Sequence, residues 1–173
     1  SDAAFAASDQ LVWLDGDFTA WSSPRVLSDS AENTALVEDT RVFSIDAAGD
    51  VIAVGVEGGA LVLDPDGTVV RELVAEDLLF AELVALSPDG RRLAAVSPGT
   101  PGRVAVWDVT TGAVSTEAAL AEEFEPMSAL FADDDVVWIG GRYRLNLTAT
   151  LEIYTGTGSV LRELRHSSRF GNA

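Results

Sequence analysis

The chain has 173 residues, 47% of them hydrophobic, and its eleven arginines, 28 acidic residues and absence of lysine give a net charge of −17. This apolar content favours a folded core over a disordered tail. An acidic surface repels phosphate backbones and anionic lipid headgroups, which argues against binding to nucleic acid or to a membrane surface. No apolar run approaches the roughly 20 residues of a membrane-spanning helix, so we expect a soluble globular chain without membrane insertion.

The missing residue types exclude several kinds of chemistry. Without cysteine there is no disulfide, thiolate nucleophile or sulfur-ligated metal. Without lysine there is no Gly-Lys-Ser/Thr phosphate loop and no Schiff base. The single histidine, His166, falls in a predicted C-terminal tail, which is a poor place for a Ser-His-Asp triad. We therefore predict no catalytic residue, no cofactor and no enzymatic activity.

Source and compartment are only partly constrained. Arginine in place of lysine on a strongly acidic chain is typical of halophilic proteins, whereas a high-GC genome would replace lysine without requiring acidity; we favour the halophilic interpretation. The absence of cysteine does not fix the compartment, and both a cytoplasmic and an extracellular location stay open. The triplet Asn146-Leu147-Thr148 matches a glycosylation acceptor, a pattern that also arises by chance.

Similar segments recur along the chain at intervals of 40 to 47 residues. Apolar runs end at Leu14, Val54, Val96 and Ile139, and each is followed by a second strand-like segment with a large residue near its end, namely Trp21, Leu63, Trp107 and Tyr154. Three of these segments lead into a turn glycine, at Gly67, Gly112 and Gly158. Segment 68–73 reappears almost unchanged as 159–164. Such a period is the mark of a repeat architecture.

Each repeat is predicted to form four short strands. Runs of four to eight Val, Ile, Leu and Trp residues bounded by Gly, Pro and Asp are typical of strands, and runs apolar on both faces fit strands buried between sheets. Four-stranded units of this length build β-propellers. We predict one all-β domain, 1–173, of about four four-stranded antiparallel repeats, with blades near 3–30, 42–76, 83–120 and 128–165 and a tail at 166–173.

The third repeat resembles a blade of the WD-repeat family. Its first hairpin turn reads Ser87-Pro88-Asp89-Gly90-Arg91, and its third strand ends in Trp107-Asp108 ahead of Gly112. The second and fourth repeats resemble the family less, and the first least. The family's blade-anchoring histidine is absent from every repeat, as is the Asp before the third strand, so the chain is identified as a divergent, prokaryotic WD-like propeller. The resemblance implies a non-catalytic scaffold that binds proteins.

Two alternatives to a self-contained scaffold stay open. Segment 105–112, with its Ala-x-Trp-Asp-x-x-Thr-Gly pattern, also resembles the blade motif of quinoprotein propellers, which would make the chain a propeller enzyme. Four blades are the low limit for a closed ring, so the chain forms a four-bladed ring, part of a larger ring completed by a second chain, or part of a longer propeller.

Structural roles are predicted for Trp107 and Asp108 and for the turn glycines Gly67, Gly112 and Gly158. The carboxylates of Asp133, Asp134 and Asp135 are weak candidates for a Ca²⁺ or Mg²⁺ site, but clustered Asp is also what tight turns require, and we predict no metal. The turn 64–67, which contains two further aspartates, is likewise interpreted as a tight turn and not as a metal site.

The predicted partner-binding residues are Arg142, Tyr143 and Arg144. They combine the arginine and aromatic side chains found in binding hot spots, in a segment expected to form a hairpin turn of the fourth repeat. Residues 1–141 carry a net charge of −20 and residues 142–173 a net charge of +3. We expect this basic end to dock on an acidic surface, either of the same chain, in a homo-oligomer, or of a protein partner; the alternatives are an ordinary polar loop and a chance imbalance of charge.

Overall fold

A computed structural model describes residues 3–5, 10–14, 19–24, 34–37, 40–143, 149–155 and 162–164. Within these ranges the chain forms sixteen β-strands and no helix, and therefore no helix that could span a membrane. The strands form four separate four-stranded antiparallel sheets. The prediction of an all-β fold built from four-stranded antiparallel units is confirmed at this level.

Each sheet is formed by four strands that are consecutive in the chain. The first sheet contains β1 Ala3–Phe5, β2 Gln10–Leu14, β3 Ala20–Pro24 and β4 Thr34–Ala35. The second contains β5 Ser44–Ala48, β6 Val51–Val56, β7 Gly59–Leu63 and β8 Val69–Val74. The third contains β9 Leu83–Leu86, β10 Arg92–Ser97, β11 Arg103–Asp108 and β12 Val114–Ala119. The fourth contains β13 Phe124–Phe131, β14 Val136–Tyr143, β15 Ala149–Thr155 and β16 Arg162–Leu164.

Short turns connect neighbouring strands and place them side by side in chain order. In the second sheet, Ala48 pairs with Val51 across a two-residue turn that contains Gly49, whose φ of +60° is a conformation that glycine adopts at little cost. Gly90, with φ +70°, occupies the first turn of the third sheet. Because every connection is local, each sheet is a simple antiparallel meander.

Apolar side chains on both faces of the middle sheets hold the four sheets together. We call the face of a sheet toward the preceding sheet its near face and the face toward the next sheet its far face. On the second strands, Ile52 and Leu93 are fully buried on near faces, and Ala53 and Ala94 are fully buried on far faces. Three apolar clusters result, one between each successive pair of sheets.

Polar contacts add to the packing between neighbouring sheets. The hydroxyl of Ser44 donates to the carbonyl oxygen of Ala81 at 2.9 Å, although both lie in the interior. Arg71 on β8 donates to the carbonyl oxygen of Thr110, beyond β11, at 2.7 Å. These bonds give buried or bridging polar groups partners and fix the orientation of each sheet against the next.

The first strand of each sheet lies beside the first strand of the next. Strand β1 contacts β5, β5 contacts β9, and β9 contacts β13. Among the residues that the structure describes, no comparable packing joins β13 or β14 to β1 or β2. The described part of the chain is therefore a succession of four sheets, each packed against the next through its first strand.

Candidate protein-binding site

Trp107, near the end of β11, is part of the core between the second and third sheets. Its side chain is fully buried in the cluster that includes Leu73 and Leu93. The indole Nε1–H donates to the carbonyl oxygen of Val74 at 3.3 Å, so the polar end of the ring also has a partner in the preceding sheet. Trp107 therefore packs the third sheet against the second, and its side chain is not accessible to a ligand.

Asp108 caps the turn that comes after Trp107. Its Oδ1 accepts hydrogen bonds from the backbone N–H of Thr111 at 2.7 Å and from that residue's hydroxyl at 2.8 Å. These bonds stabilise the carboxylate and lower the pKa of Asp108. Asp64 occupies the same place in the second sheet and accepts backbone N–H groups two and four residues later, at 3.1 and 2.8 Å. Asp at this position therefore organises a turn.

The predicted turn glycines have the backbone conformation that such a turn requires. Gly67 has a φ of +85° and Gly112 a φ of +76°, in the left-handed region that side chains with a Cβ rarely adopt. Gly158, the third predicted glycine, lies outside the described residues, as do His166 and Asn146.

The three acidic residues between β13 and β14 have partners within the protein. Asp133 accepts the backbone N–H groups of Asp135 and Val136, both at 2.9 Å. Asp135 forms an ion pair with Arg92 of the third sheet at 2.8 Å, and Asp134 accepts the N–H of Asp89 at 3.3 Å. Across the described ranges, no group of three or more His, Cys, Asp or Glu side chains is arranged to hold a metal ion. In this structure the cluster shapes a turn and links two sheets.

Two of the three predicted partner-binding residues lie at the end of β14, which continues as far as Tyr143, into the segment expected to form a turn. Arg142 is exposed, and its Nε donates to Oε2 of Glu125 on β13 at 2.8 Å, which raises the pKa of Arg142. Tyr143 is half-buried, and its ring meets that of Phe124 edge-on with centroids 5.6 Å apart. Arg144 lies outside the described residues. Of this pair, Arg142 is the one that faces solvent.

The far face of the fourth sheet carries an apolar pair that sequence reasoning missed. Leu130 on β13 and Trp138 on β14 are direct register partners and are 49% and 37% exposed. The near face of the same strand is buried, because Val137 and Ile139 pack against the third sheet. Trp138 thus alternates with buried side chains along β14, and Leu130 with half-buried ones along β13.

The equivalent positions of the other sheets are covered. Counting from the first hairpin, Trp138 corresponds to Ala53 in the second sheet and Ala94 in the third, and both are fully buried against the next sheet. Leu130 corresponds to the buried Ala85 and to Asp46. The fourth sheet therefore carries larger apolar side chains at the positions where its own far face has no cover among the described residues.

An opening of about 430 Å³ lies along the first strands of three of the sheets. It is bordered by residues of the first strands of the second, third and fourth sheets: Asp46, Leu83, Val84, Leu86, Met127, Ser128, Ala129, Leu130 and Phe131. Met127 is 60% exposed. Burial raises the pKa of Asp46, against the opposing effect of backbone N–H groups from Leu86 and Ala47. The wall is mostly apolar, with one carboxylate.

A comparison with protein families finds no family that matches the chain, and a comparison with characterised proteins finds no significant match. The resemblance of the third repeat to a WD-repeat blade therefore stays a prediction.

A signal for the exposed pair is present in the sequence. The run 136–139 has the same apolar character as the runs that end at Val54 and Val96, which is typical of a strand buried on both faces. Aligning the second, third and fourth repeats position by position shows small residues, Ala53 and Ala94, where the fourth repeat has Trp138. A large aromatic residue at a position that is small in other repeats indicates a different neighbour. For Asp46 the pattern gives no signal, because its partner is a backbone N–H of another repeat.

Proposed function

We propose that the chain is a non-catalytic protein-interaction scaffold whose four sheets are the blades of a divergent WD-like propeller. The repeated antiparallel meander and the contacts between successive first strands support the propeller. Both faces of the second and third sheets are occupied by their neighbours, so recognition falls to turns, edges and the outermost faces.

The observation that carries the proposal is the apolar surface on the fourth sheet. Leu130 and Trp138 are exposed partners on its far face, and Met127 is exposed on the same strand as Leu130. Aliphatic and aromatic side chains on a sheet that also carries an exposed arginine, here Arg142 on β14, have the composition of a protein-binding surface. Such a surface on an otherwise acidic chain favours a protein ligand over nucleic acid.

A capture experiment tests the proposal. The immobilised chain is exposed to an extract of its source cells at molar salt, and retained proteins are identified by mass spectrometry. We expect proteins that bind the wild type but are lost with Trp138→Asp, because a charge at the centre of an apolar contact opposes docking. The matched control is Leu79→Asp, which places the same charge at a 71% exposed apolar residue between the second and third sheets.

The two variants separate a specific site from general stickiness. Retention lost with Trp138→Asp and kept with Leu79→Asp supports binding at the fourth sheet. A wild-type chain that retains nothing beyond what Trp138→Asp retains contradicts the proposed function. Circular dichroism of each variant establishes that the β-structure is intact.

A further inference from the structure

We propose that the far face of the fourth sheet binds the near face of the first sheet of a second copy of this chain, in a head-to-tail contact. The inference rests on the proposed function and names the partner of its binding surface. The contact repeats between two chains the packing that joins successive sheets within one chain.

The first argument is the equivalence of positions across the repeat. Ala53 and Ala94 are buried because the near face of the next sheet covers them. Trp138 occupies the same position and is exposed, together with its register partner Leu130. In the second and third sheets, this position is covered by the near face of the next sheet. We therefore expect the near face of another such sheet to fit over Trp138 and Leu130.

The second argument is the composition of the first sheet, whose near face is the counterpart. Val12 is fully buried in the cluster with the second sheet, so strand alternation assigns Leu11 to the opposite, near face, where it is half-buried. Position 13 shares this alternation with position 11, and the backbone register pairs Trp13 with Trp21. The near-face register positions 11, 13 and 21 of β2 and β3 are therefore a leucine and two tryptophans in the sequence, an apolar composition like that of the pair on the fourth sheet.

The third argument separates a second copy from closure within one chain. A ring closed by the same four sheets would pack β13 and β14 against β1 and β2, as β9 packs against β13. In the ranges that the structure describes, no packing of that extent joins these strands. The exposed far face of the fourth sheet is then free to receive the first sheet of another molecule.

Charge supports the same pairing. Residues 1–41 contain eight acidic residues and two arginines, whereas residues 142–173 contain five arginines and two acidic residues. A head-to-tail contact brings the basic end of one chain to the acidic end of the other. A contact between two fourth sheets would set like charges together.

The absence of cysteine allows a direct test by cross-linking. Two single-cysteine variants are prepared, Leu130→Cys on the fourth sheet and Leu11→Cys on the first. Each is treated with a flexible bis-maleimide, alone and as an equimolar mixture, at molar salt. We expect a cross-linked dimer in the mixture and none in either variant alone, because a head-to-tail contact places position 130 of one chain beside position 11 of the other.

Other products overturn the inference. A dimer from Leu130→Cys alone shows that two fourth sheets meet. A double variant, Leu11→Cys with Leu130→Cys, that reacts within a monomer at high dilution shows that the ring closes within one chain. A mixture that gives no dimer shows that the second copy is not the partner, and the capture experiment then decides separately whether another protein is.

A mass measurement provides the second readout. We expect the wild type to sediment as an assembly of two or more chains and Trp138→Asp as a monomer, with Leu79→Asp unchanged from the wild type. A wild type that remains monomeric at the highest accessible concentration contradicts the inference even if cross-links form. Far-UV circular dichroism identical in all three chains shows that the loss of mass is not a loss of fold.

Discussion

Oδ2 of Asp46 accepts the backbone N–H of Leu86 at 2.8 Å, and this bond joins the first strand of the second sheet to the first strand of the third. The same carboxylate accepts its neighbour's N–H, that of Ala47, through Oδ1 at 2.9 Å. The N–H of Leu86 points away from its own sheet and needs an acceptor there, because an unpaired buried donor is costly. The Asp46 carboxylate thus supplies the acceptor for a backbone N–H group at the β9 edge of the third sheet.

We predict that Asp46→Ala destabilises the fold by about 1–3 kcal/mol, the range for leaving a buried backbone donor without its partner. Loss of the carboxylate's own burial cost places the result in the lower part of that range. Urea unfolding followed by tryptophan fluorescence measures the effect. Asp50→Ala is the control, because Asp50 is exposed in the adjoining turn. Equal stability of the two variants would show that the bond to Leu86 contributes nothing.

Asp46 also predicts a pH dependence. Burial raises its pKa in the folded protein, so the folded state binds the proton more tightly than the unfolded state does. This tighter proton binding stabilises the folded state fully below the ordinary aspartate pKa. The stabilisation is lost as the pH rises through the raised pKa of the folded state. Asp46→Asn removes the titration and keeps one acceptor oxygen. We expect the free energy of unfolding of Asp46→Asn, relative to wild type, to increase as the pH rises from below the ordinary aspartate pKa to neutral pH. A difference that stays constant over this range would contradict the assignment.

Two tryptophans, Trp107 in the core and Trp138 on the surface, provide a paired test of the sheet packing. Trp107→Ala should cost about 3–5 kcal/mol, because it removes a fully buried ring from the cluster between the second and third sheets. Trp138→Ala should cost less in the isolated chain at low concentration, because that side chain is 37% exposed. Chemical denaturation of both variants under the same conditions measures the two losses of stability. If Trp107→Ala keeps its stability but loses binding, Trp107 belongs to a binding site and not to the core.

The strand positions of the third sheet can be predicted because local residues determine them. The sequence predicts its strands near 84–87, 92–97, 103–108 and 113–118, and they lie at 83–86, 92–97, 103–108 and 114–119. The first and third turns between them are fixed by Gly90 and by Gly112 with Asp108, which act within a few residues of the chain.

The exposed far face of the fourth sheet cannot be predicted from the fourth repeat alone, and only its comparison with the second and third repeats indicates it. The burial of Trp138 depends on which element packs against its sheet, and the alternation of residues along β14 carries no information about that. Likewise, the turn predicted at 142–144 is strand as far as Tyr143, because the ring of Phe124 and the carboxylate of Glu125 extend the pairing of β13 with β14. Tertiary contacts decide both features.

Stability should increase with salt. With a net charge of −17, mutual repulsion among acidic groups opposes the compact state, and raising the ionic strength from 0.1 M to 1 M shortens the Debye length from about 10 Å to about 3 Å. We expect the thermal unfolding midpoint to rise steadily from dilute buffer to molar sodium chloride. A midpoint that does not change between these conditions would contradict the interpretation of the chain as halophilic.

The end of β14 is predicted to orient the partner that docks on the fourth sheet. Exposed ion pairs weaken with salt, so removing the arginines, in a double Arg142→Ala and Arg144→Ala variant, should lower partner capture in dilute buffer and have little effect at molar salt. Tyr143→Ala should lower capture under both conditions, because an aromatic contact does not depend on ionic strength.

The position of Tyr143 against Phe124 requires a control for stability, since Tyr143→Ala also removes a ring contact within the fourth sheet. Tyr143→Phe keeps the ring and removes the hydroxyl, so it separates packing from hydrogen bonding at the interface. Glu125→Gln releases Arg142 from its ion pair without removing the arginine, and we expect this variant to capture the partner at least as well as the wild type. Light scattering and pull-down of all four variants complete the test. If each of them assembles and captures as the wild type does, this end of the strand is ordinary exposed surface, and docking involves only the sheet face that carries Leu130 and Trp138.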